Sequence, residues 1–289
     1  MKLRFMKYRK LSYWVSGILV ALSVLSLATR GLNYGIDFAG GISMEVTATL
    51  PDYTIDKMRH DLAEFGPELQ SVDNNKSILV RVGLPKGATD EQQNQRVREI
   101  KDILGEKVSY AQVQIVGPKI GGELVRGGIL AILVSFVLMS VYIWIRYRGG
   151  YAVGSFVSLL LDFVLMFGFF SVVGLEFNQT SIAIILMGIG YSINDKVVNY
   201  DRIDENIKKY HKMPMSDLID LSVNEMMRRT IMTSASTVLA MVGLYLFGGV
   251  MLRDFALAMS FAVVMGSLTS IYISNVVLYH FNLRETEYK

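Results

Sequence analysis

Six stretches of about 20 apolar residues constrain this chain more than any other feature of its sequence. They lie near residues 11–29, 126–145, 151–173, 180–200, 230–248 and 255–279. A helix of about 20 residues crosses the roughly 30 Å hydrocarbon core of a bilayer and satisfies its backbone hydrogen bonds there without water. Apolar residues form 52% of the sequence and are concentrated in these stretches. We therefore predict an α-helical polytopic membrane protein with six transmembrane helices.

The first stretch could be a membrane anchor or a cleaved signal peptide. A basic head precedes it, and Ser26-Leu27-Ala28 loosely resembles a signal-peptidase site. Its apolar run of about 18 residues exceeds the roughly 7 to 15 that form the core of a signal peptide. We expect an uncleaved anchor, transmembrane helix 11–29.

Lysine and arginine residues are concentrated on one side of the predicted spans. The head at 1–10, the loop after the second span and the segment 201–229 are rich in them, whereas 174–178 has none. Short segments of this kind remain in the cytoplasm. We predict that both termini are cytoplasmic, with a loop at 201–229 and a tail at 280–289. The net charge of +3 follows from this bias and indicates no nucleic-acid surface.

The segment 30–125 is predicted to form a small exported α+β domain. Alternating apolar residues indicate strands near 42–50, 68–73, 77–82 and 107–116, with a turn at Asn74-Asn75. Thr54 can cap a helix that runs to Phe65, and Thr89 with Gln92 forms a capping-box pattern that opens a helix to Leu104. The order βαββαβ is that of a ferredoxin-like fold. The chain has no cysteine, so this domain must be stabilised by its core.

Two aspartates interrupt the predicted spans and are the strongest candidates for function. A charged carboxylate inside a membrane costs about 2.5 to 3.5 kcal/mol on insertion scales, and proton or ion coupling is a common reason for it. Asp195 lies in the cytoplasmic half of the fourth span, where it could also simply reach water. Asp162 lies midway along the third span, where a structural hydrogen bond between helices is the alternative to a relay.

Further candidates flank these spans. Arg229 begins the fifth span beside Arg228, and such pairs are often topological anchors. Asp37 follows the first span within a glycine-rich segment, where its carboxylate can bond turn amides. Gly188 and Gly190 would allow a neighbouring helix to approach closely.

Three motifs, the second of which has two parts, resemble those of the SecD/SecF family in the RND superfamily, and its SecF branch in particular. They are Gly35-Ile36-Asp37-Phe38-Ala39-Gly40-Gly41, Gly190-Tyr191-Ser192-Ile193-Asn194-Asp195, Asp201-Arg202-Ile203-Asp204-Glu205-Asn206 and Arg229-Thr230-Ile231-Met232-Thr233-Ser234. Signature positions implied by this resemblance are Asp37, Gly40, Gly41, Tyr191, Asn194, Asp201 and Arg202. Lys196 departs from the family pattern, in which a small hydroxyl residue is usual, and Asn199 stands where an apolar residue is usual. We expect Lys196 to extend towards the cytoplasmic interface.

The resemblance implies a proton-coupled role in protein export. It places Arg229 near Asp195, with Asp162 as a possible midplane neighbour, so that the arginine modulates proton binding by the carboxylate. Implied partners are SecD, the SecYEG channel and the translocating preprotein, with YidC and YajC as further candidates. The implied location is the bacterial inner membrane, and the implied coupling ion is the proton, with no cofactor.

Other functions predict different features. An RND-type small-molecule exporter would share the helical bundle, but that class usually has two such halves and larger exported domains in one chain. An intramembrane aspartyl protease would need a GxGD signature, which is missing at Asp195. A scaffold without transport activity would tolerate neutral substitutions of Asp195 and Arg229. The sequence offers no phosphate-binding loop or nucleophile–base pair, so we do not predict an enzyme.

Overall fold

Long helices dominate the computed structural model, which describes residues 3–50, 53–72, 77–85, 88–147, 149–281 and 283. The helices are α1 (Arg9–Thr29), α2 (Ile36–Ala39), α3 (Ile55–Asp61), α4 (Asp90–Leu104), α5 (Pro118–Arg146), α6 (Gly150–Val173), α7 (Gln179–Lys209), α8 (Met215–Phe247), α9 (Gly249–Thr269) and α10 (Asn275–Leu278). The strands are β1 (Asn33–Tyr34), β2 (Gly41–Ala48), β3 (Glu68–Val72), β4 (Ser77–Gly83), β5 (Val108–Val116) and β6 (Glu176–Phe177).

The chain divides into two compact units. The helical unit comprises 1–33, 131–175 and 180–289, and the sheet unit comprises 34–130 and 176–179. Within the described residues, six helical segments are long and apolar enough to cross a membrane, and they correspond to α1, α5, α6, α7, α8 and the segment formed by α9 and α10. This architecture confirms the predicted fold class.

An antiparallel four-stranded sheet with the order β3-β4-β2-β5 forms the sheet unit. Along β2, the side chains of Ile42, Met44 and Val46 are almost completely buried because alternate residues of a strand point to the same face. They pack in one core with residues of α3 and α4, including Met58 and Ile100. This order of strands and helices is the ferredoxin-like one that the sequence predicts.

The two predicted helix caps of the sheet unit have different outcomes. The Thr89 hydroxyl accepts from the Gln92 amide, and the Gln92 side chain accepts from the Thr89 amide at 3.0 Å, so the capping box is formed. The side chain of Thr54 makes no capping hydrogen bond, although α3 begins after it as expected. The turn predicted at Asn74-Asn75 lies outside the described residues.

Helices α6, α7 and α9 form the centre of the helical unit. In the apolar windows of α7 and of the segment formed by α9 and α10, 56% of residues are buried, against 6% for α8 and 11% for α5. Glycines allow close packing between the central helices. A Cβ atom added to Gly188 would lie 2.6 Å from Ala262 Cβ, and one added to Gly266 would lie 2.9 Å from Ser192 Cβ. Gly190, in contrast, faces open space.

The segment 201–229 differs from the predicted loop, because it is helical except at 210–214. α7 continues to Lys209, and α8 begins at Met215. The segment is mostly polar in sequence, but its apolar residues lie on one face of each helix. The prediction of a loop did not take this spacing into account. Buried side chains on that face include Ile203, Ile207, Leu218 and Ile219.

A π-helical turn at Ser270–Ser274 interrupts the last predicted span between α9 and α10. Such turns insert an extra residue into a helix and are frequent at functional sites. Ser270 and Ser274 are fully buried, and their hydroxyl groups point towards α7, where each has a hydrogen-bond partner.

Candidate functional site

Buried polar side chains from α6, α7 and α9 converge on the carboxylate of Asp162. Ser192 Oγ donates to Asp162 Oδ2 at 2.6 Å, and Lys196 Nζ donates to the same oxygen at 2.9 Å. Thr269 Oγ1 donates to the other oxygen, Asp162 Oδ1. Asp162 therefore receives three donors, one of which carries a full positive charge.

Lys196 lies inside the bundle and not at the cytoplasmic interface, so the expectation from the sequence was wrong. Its side chain has no exposed surface, and its ammonium group contacts Ser192 Oγ as well as Asp162. Residues four apart lie on the same face of a helix, which brings Ser192 and Lys196 together opposite α6. A buried ammonium requires a counter-charge, and Asp162 supplies it.

Asp195 points to a different set of neighbours, because consecutive helical residues are about 100° apart. It is 8% exposed, and Ser267 Oγ of α9 donates to its Oδ2 at 2.6 Å. Ser267 Oγ also lies 2.7 Å from Ser234 Oγ of α8. In the part of the chain that the structure describes, Ser267 is the hydrogen-bond donor to Asp195, so this carboxylate is less fully satisfied than Asp162.

Arg229 is exposed and does not contact Asp195 in this structure. Among ion pairs within 4.0 Å between described residues, none joins the two side chains. The expected pairing is therefore absent here, because Asp195 faces α9. α8 is linked to Asp195 through the hydroxyls of Ser234 and Ser267.

A second polar layer lies further along α7. Asn199 Nδ2 donates to Ser270 Oγ at 3.3 Å, and the hydroxyl groups of Tyr200 and Ser274 are hydrogen-bonded. The ring of Tyr200 packs edge-on against Tyr147 and Tyr151, with centroids 5.5 and 5.1 Å away. The π-helical turn therefore provides hydroxyl partners for both Asn199 and Tyr200.

Asp201 and Arg202 begin the extension of α7 beyond this layer. Asp201 accepts from Arg146 at 2.8 Å and from the Tyr147 hydroxyl at 2.7 Å. Burial, and then this hydrogen bond, raise the pKa of Tyr147, so the phenol remains a donor. Arg202 bridges to Glu225 of α8 at 2.7 Å. Asp201 thus links α7 to the end of α5, and Arg202 links α7 to α8 across the 210–214 connection.

Comparison with known proteins identifies the family. Residues 96–284 match the family described as "Protein export membrane protein SecD/SecF, C-terminal", and residues 25–49 match "SecD/SecF GG Motif". The chain belongs to the SecD/SecF family. It is 39% identical to "Protein translocase subunit SecF" of Rickettsia felis, over 97% of this chain and 92% of that protein.

SecDF proteins are also similar to the chain but are much longer. "Protein translocase subunit SecDF" of Brucella abortus is 37% identical over 98% of this chain, which spans 38% of that protein. The crystal structure of SecDF from Thermus thermophilus, described as a translocon-associated membrane protein, is 31% identical with a TM-score of 0.83. That match covers 96% of this chain and 38% of the SecDF chain.

The SecD/SecF GG motif holds the first turn of α7. Asp37 Oδ2 accepts from the backbone amide of Gln179, the first residue of α7, at 3.2 Å. Gly40 has a φ of +74°, and a Cβ atom on Gly41 would lie 2.9 Å from the carbonyl oxygen of Val82. Asp37 thus bonds an amide, as the sequence suggested, but the amide belongs to a helix about 140 residues away in the sequence.

The other SecD/SecF signature positions lie outside the buried cluster. Tyr191 and Asn194 are exposed, whereas Ser192 of the same motif is buried and bonds Asp162. Reasoning from the sequence missed Lys196, Ser267 and Thr269 as members of the site. A run of serine and threonine residues at Ser267–Ser274, within an otherwise apolar span, is the sequence feature that could have identified Ser267 and Thr269.

Proposed function

We propose that this chain is an auxiliary subunit of the Sec preprotein translocase that uses the proton motive force to promote export. The family membership and the buried carboxylate of Asp195 together support this proposal. Asp195 is the group that we propose to bind the coupling proton, because it lies among central helices and receives one hydroxyl donor, from Ser267. The proposed location is the bacterial inner membrane, with both termini in the cytoplasm.

The proposed partner is a SecD-type chain. In the SecDF relatives, a sequence of this kind forms about two fifths of a longer protein. We infer that a SecD-type region works with this sequence, and that the two act on a preprotein leaving the SecYEG channel. YidC and YajC are proposed as further partners.

The proposed coupling step is protonation of Asp195. A bound proton removes the negative charge and changes the hydrogen bond to Ser267, so the preferred packing of α7 against α9 changes. Arg229 is proposed to approach the carboxylate in another state of the cycle, with Asp162 as its neighbour within the bundle. Each charge crossing 100 mV provides about 2.3 kcal/mol, which biases a two-state equilibrium roughly fortyfold.

The test is the substitution Asp195→Asn in vesicles that contain the translocase, a SecD partner and this chain. With the unmodified chain, an imposed proton gradient should increase the amount of preprotein that is protected from protease inside the vesicles. We expect Asp195→Asn to lose this increase. Asp204→Asn is the matched control, because Asp204 is on the same helix but forms a surface ion pair with Lys208. Retention of gradient-dependent export by Asp195→Asn would refute the proposal.

A further inference from the structure

Two adjacent residues of α7, Asp195 and Lys196, place the carboxylates of Asp195 and Asp162 in different environments. Lys196 reaches Asp162, and the side chains of this ion pair are 0% and 6% exposed. Asp195 faces the other way and has the hydroxyl of Ser267 as its hydrogen-bond donor. α7 therefore provides a fixed cation for Asp162 of α6, whereas its own carboxylate, Asp195, has no cation within ion-pair distance among the described residues.

We propose that Lys196 is a tethered counter-cation that keeps Asp162 ionised and confines proton exchange within the bundle to Asp195. Lys196 is thus a positioning residue for the coupling reaction. The inference rests on the proposed function, because it assumes that Asp195 exchanges protons. Of the two roles that the sequence leaves open for Asp162, a relay and a structural hydrogen bond, it assigns the structural one.

The hydrogen bonds around Asp162 favour its charged form. Donors from Ser192, Lys196 and Thr269 occupy both of its oxygens, and hydrogen bonds to the charged form of an acid stabilise that form. Lys196 Nζ in turn has two acceptors, Asp162 Oδ2 and Ser192 Oγ, which favour the ammonium. A proton on Asp162 would leave the buried ammonium without its counter-charge, which is strongly unfavourable in a low-dielectric interior.

Among the described residues, the surrounding elements supply no other cation in contact with the pair. α9 contributes hydroxyl groups, from Ser267 and Thr269, and the described part of α1 has no charged residue between 11 and 29. Asp195 of α7 and the exposed Arg229 of α8 are the remaining charged groups near this layer. Ionised Asp162, Asp195 and Lys196 together carry a net charge of −1. Without Lys196, the two ionised carboxylates carry −2.

Replacing Lys196 should therefore create a second proton-binding carboxylate. Two uncompensated carboxylates in one bundle repel each other, and burial disfavours both charges. Asp162 would then take up a proton in Lys196→Met. Lys196→Arg, which retains a positive charge, should leave Asp162 ionised.

Dicyclohexylcarbodiimide provides the test, because this apolar reagent modifies protonated carboxyl groups in membranes. The full-length chain in its membrane is treated over a range of pH, and the adducts are located by mass spectrometry. In the unmodified sequence we expect an adduct at Asp195 that increases as the pH falls, and none at Asp162. Lys196→Met should gain an adduct at Asp162, while Lys196→Arg should not.

Several outcomes would overturn the inference. An adduct at Asp162 in the unmodified sequence, over the same pH range as at Asp195, does so without any variant that must fold. An unmodified Asp162 in folded Lys196→Met does so as well. Labelling needs no translocation, so failure here is distinguishable from failure of the proposed function, which the export assay on Asp195→Asn reports separately.

Discussion

The ammonium of Lys196 is stable inside the bundle because of one partner on another helix. Removing either member of a buried ion pair leaves an isolated charge and typically costs about 3 to 5 kcal/mol, whereas removing both often costs much less. The carboxylate of Asp162 also holds Ser192 and Thr269. The packing of α6, α7 and α9 therefore depends on this pair at the position of Asp162.

This dependence predicts a large coupling energy in a double-mutant cycle. Asp162→Asn and Lys196→Met should each lower the thermal stability of the detergent-solubilised chain, and the double variant should be more stable than the sum of the single losses predicts. Thermal unfolding followed by circular dichroism measures this. Asp204→Asn and Lys208→Met form the control cycle, because that exposed pair should show a coupling of at most about 1 kcal/mol. Additive losses at Asp162 and Lys196 would contradict the role assigned to the pair.

Local patterns in the sequence were sufficient for much of the fold. The capping box of Thr89 and Gln92 and the alternating side chains of β2 depend on residues close together in the chain, and both are present in the structure. The position of Lys196 depends on Asp162, which is 34 residues away on another helix, and the residues around Lys196 contain no sign of this contact. The helices could therefore be predicted from local patterns. The site could not be predicted in full, because it depends on which faces of different helices contact each other.

At the scale of helices, the packing of α7 against α9 depends on Gly188. Its α-carbon faces Ala262, so an added methyl group would force the helices apart, and overpacking of this kind costs about 1 to 3 kcal/mol. Gly188→Ala should lower the unfolding temperature and weaken proton-dependent export. Gly190→Ala is the matched control, because it fills open space on the same helix and should be neutral or slightly stabilising. Equal effects of the two substitutions would show that close contact at Gly188 is unimportant.

At the scale of the whole molecule, the absence of cysteine allows the proposed topology to be mapped directly. Asn94 of α4 and Lys212 in the 210–214 connection are both exposed. Asn94→Cys should react with a membrane-impermeant maleimide from the outer side of the membrane, and Lys212→Cys should react only after the membrane is permeabilised. The unmodified chain is the control for unspecific labelling. Labelling of both cysteines from the same side would contradict the topology.

The hydrogen bond between Asp37 and Gln179 has a mechanical consequence. α7 is a continuous helix, so Gln179 and Asp195, which are 16 residues apart, are separated by about 24 Å along its axis. Just before the start of α7, Glu176 pairs with Arg81 of β4. The carboxylate of Asp37 accepts a hydrogen bond from the first backbone amide of the helix, that of Gln179. Any displacement of α7 along its axis would therefore act on these two contacts, Glu176 with Arg81 and Asp37 with Gln179.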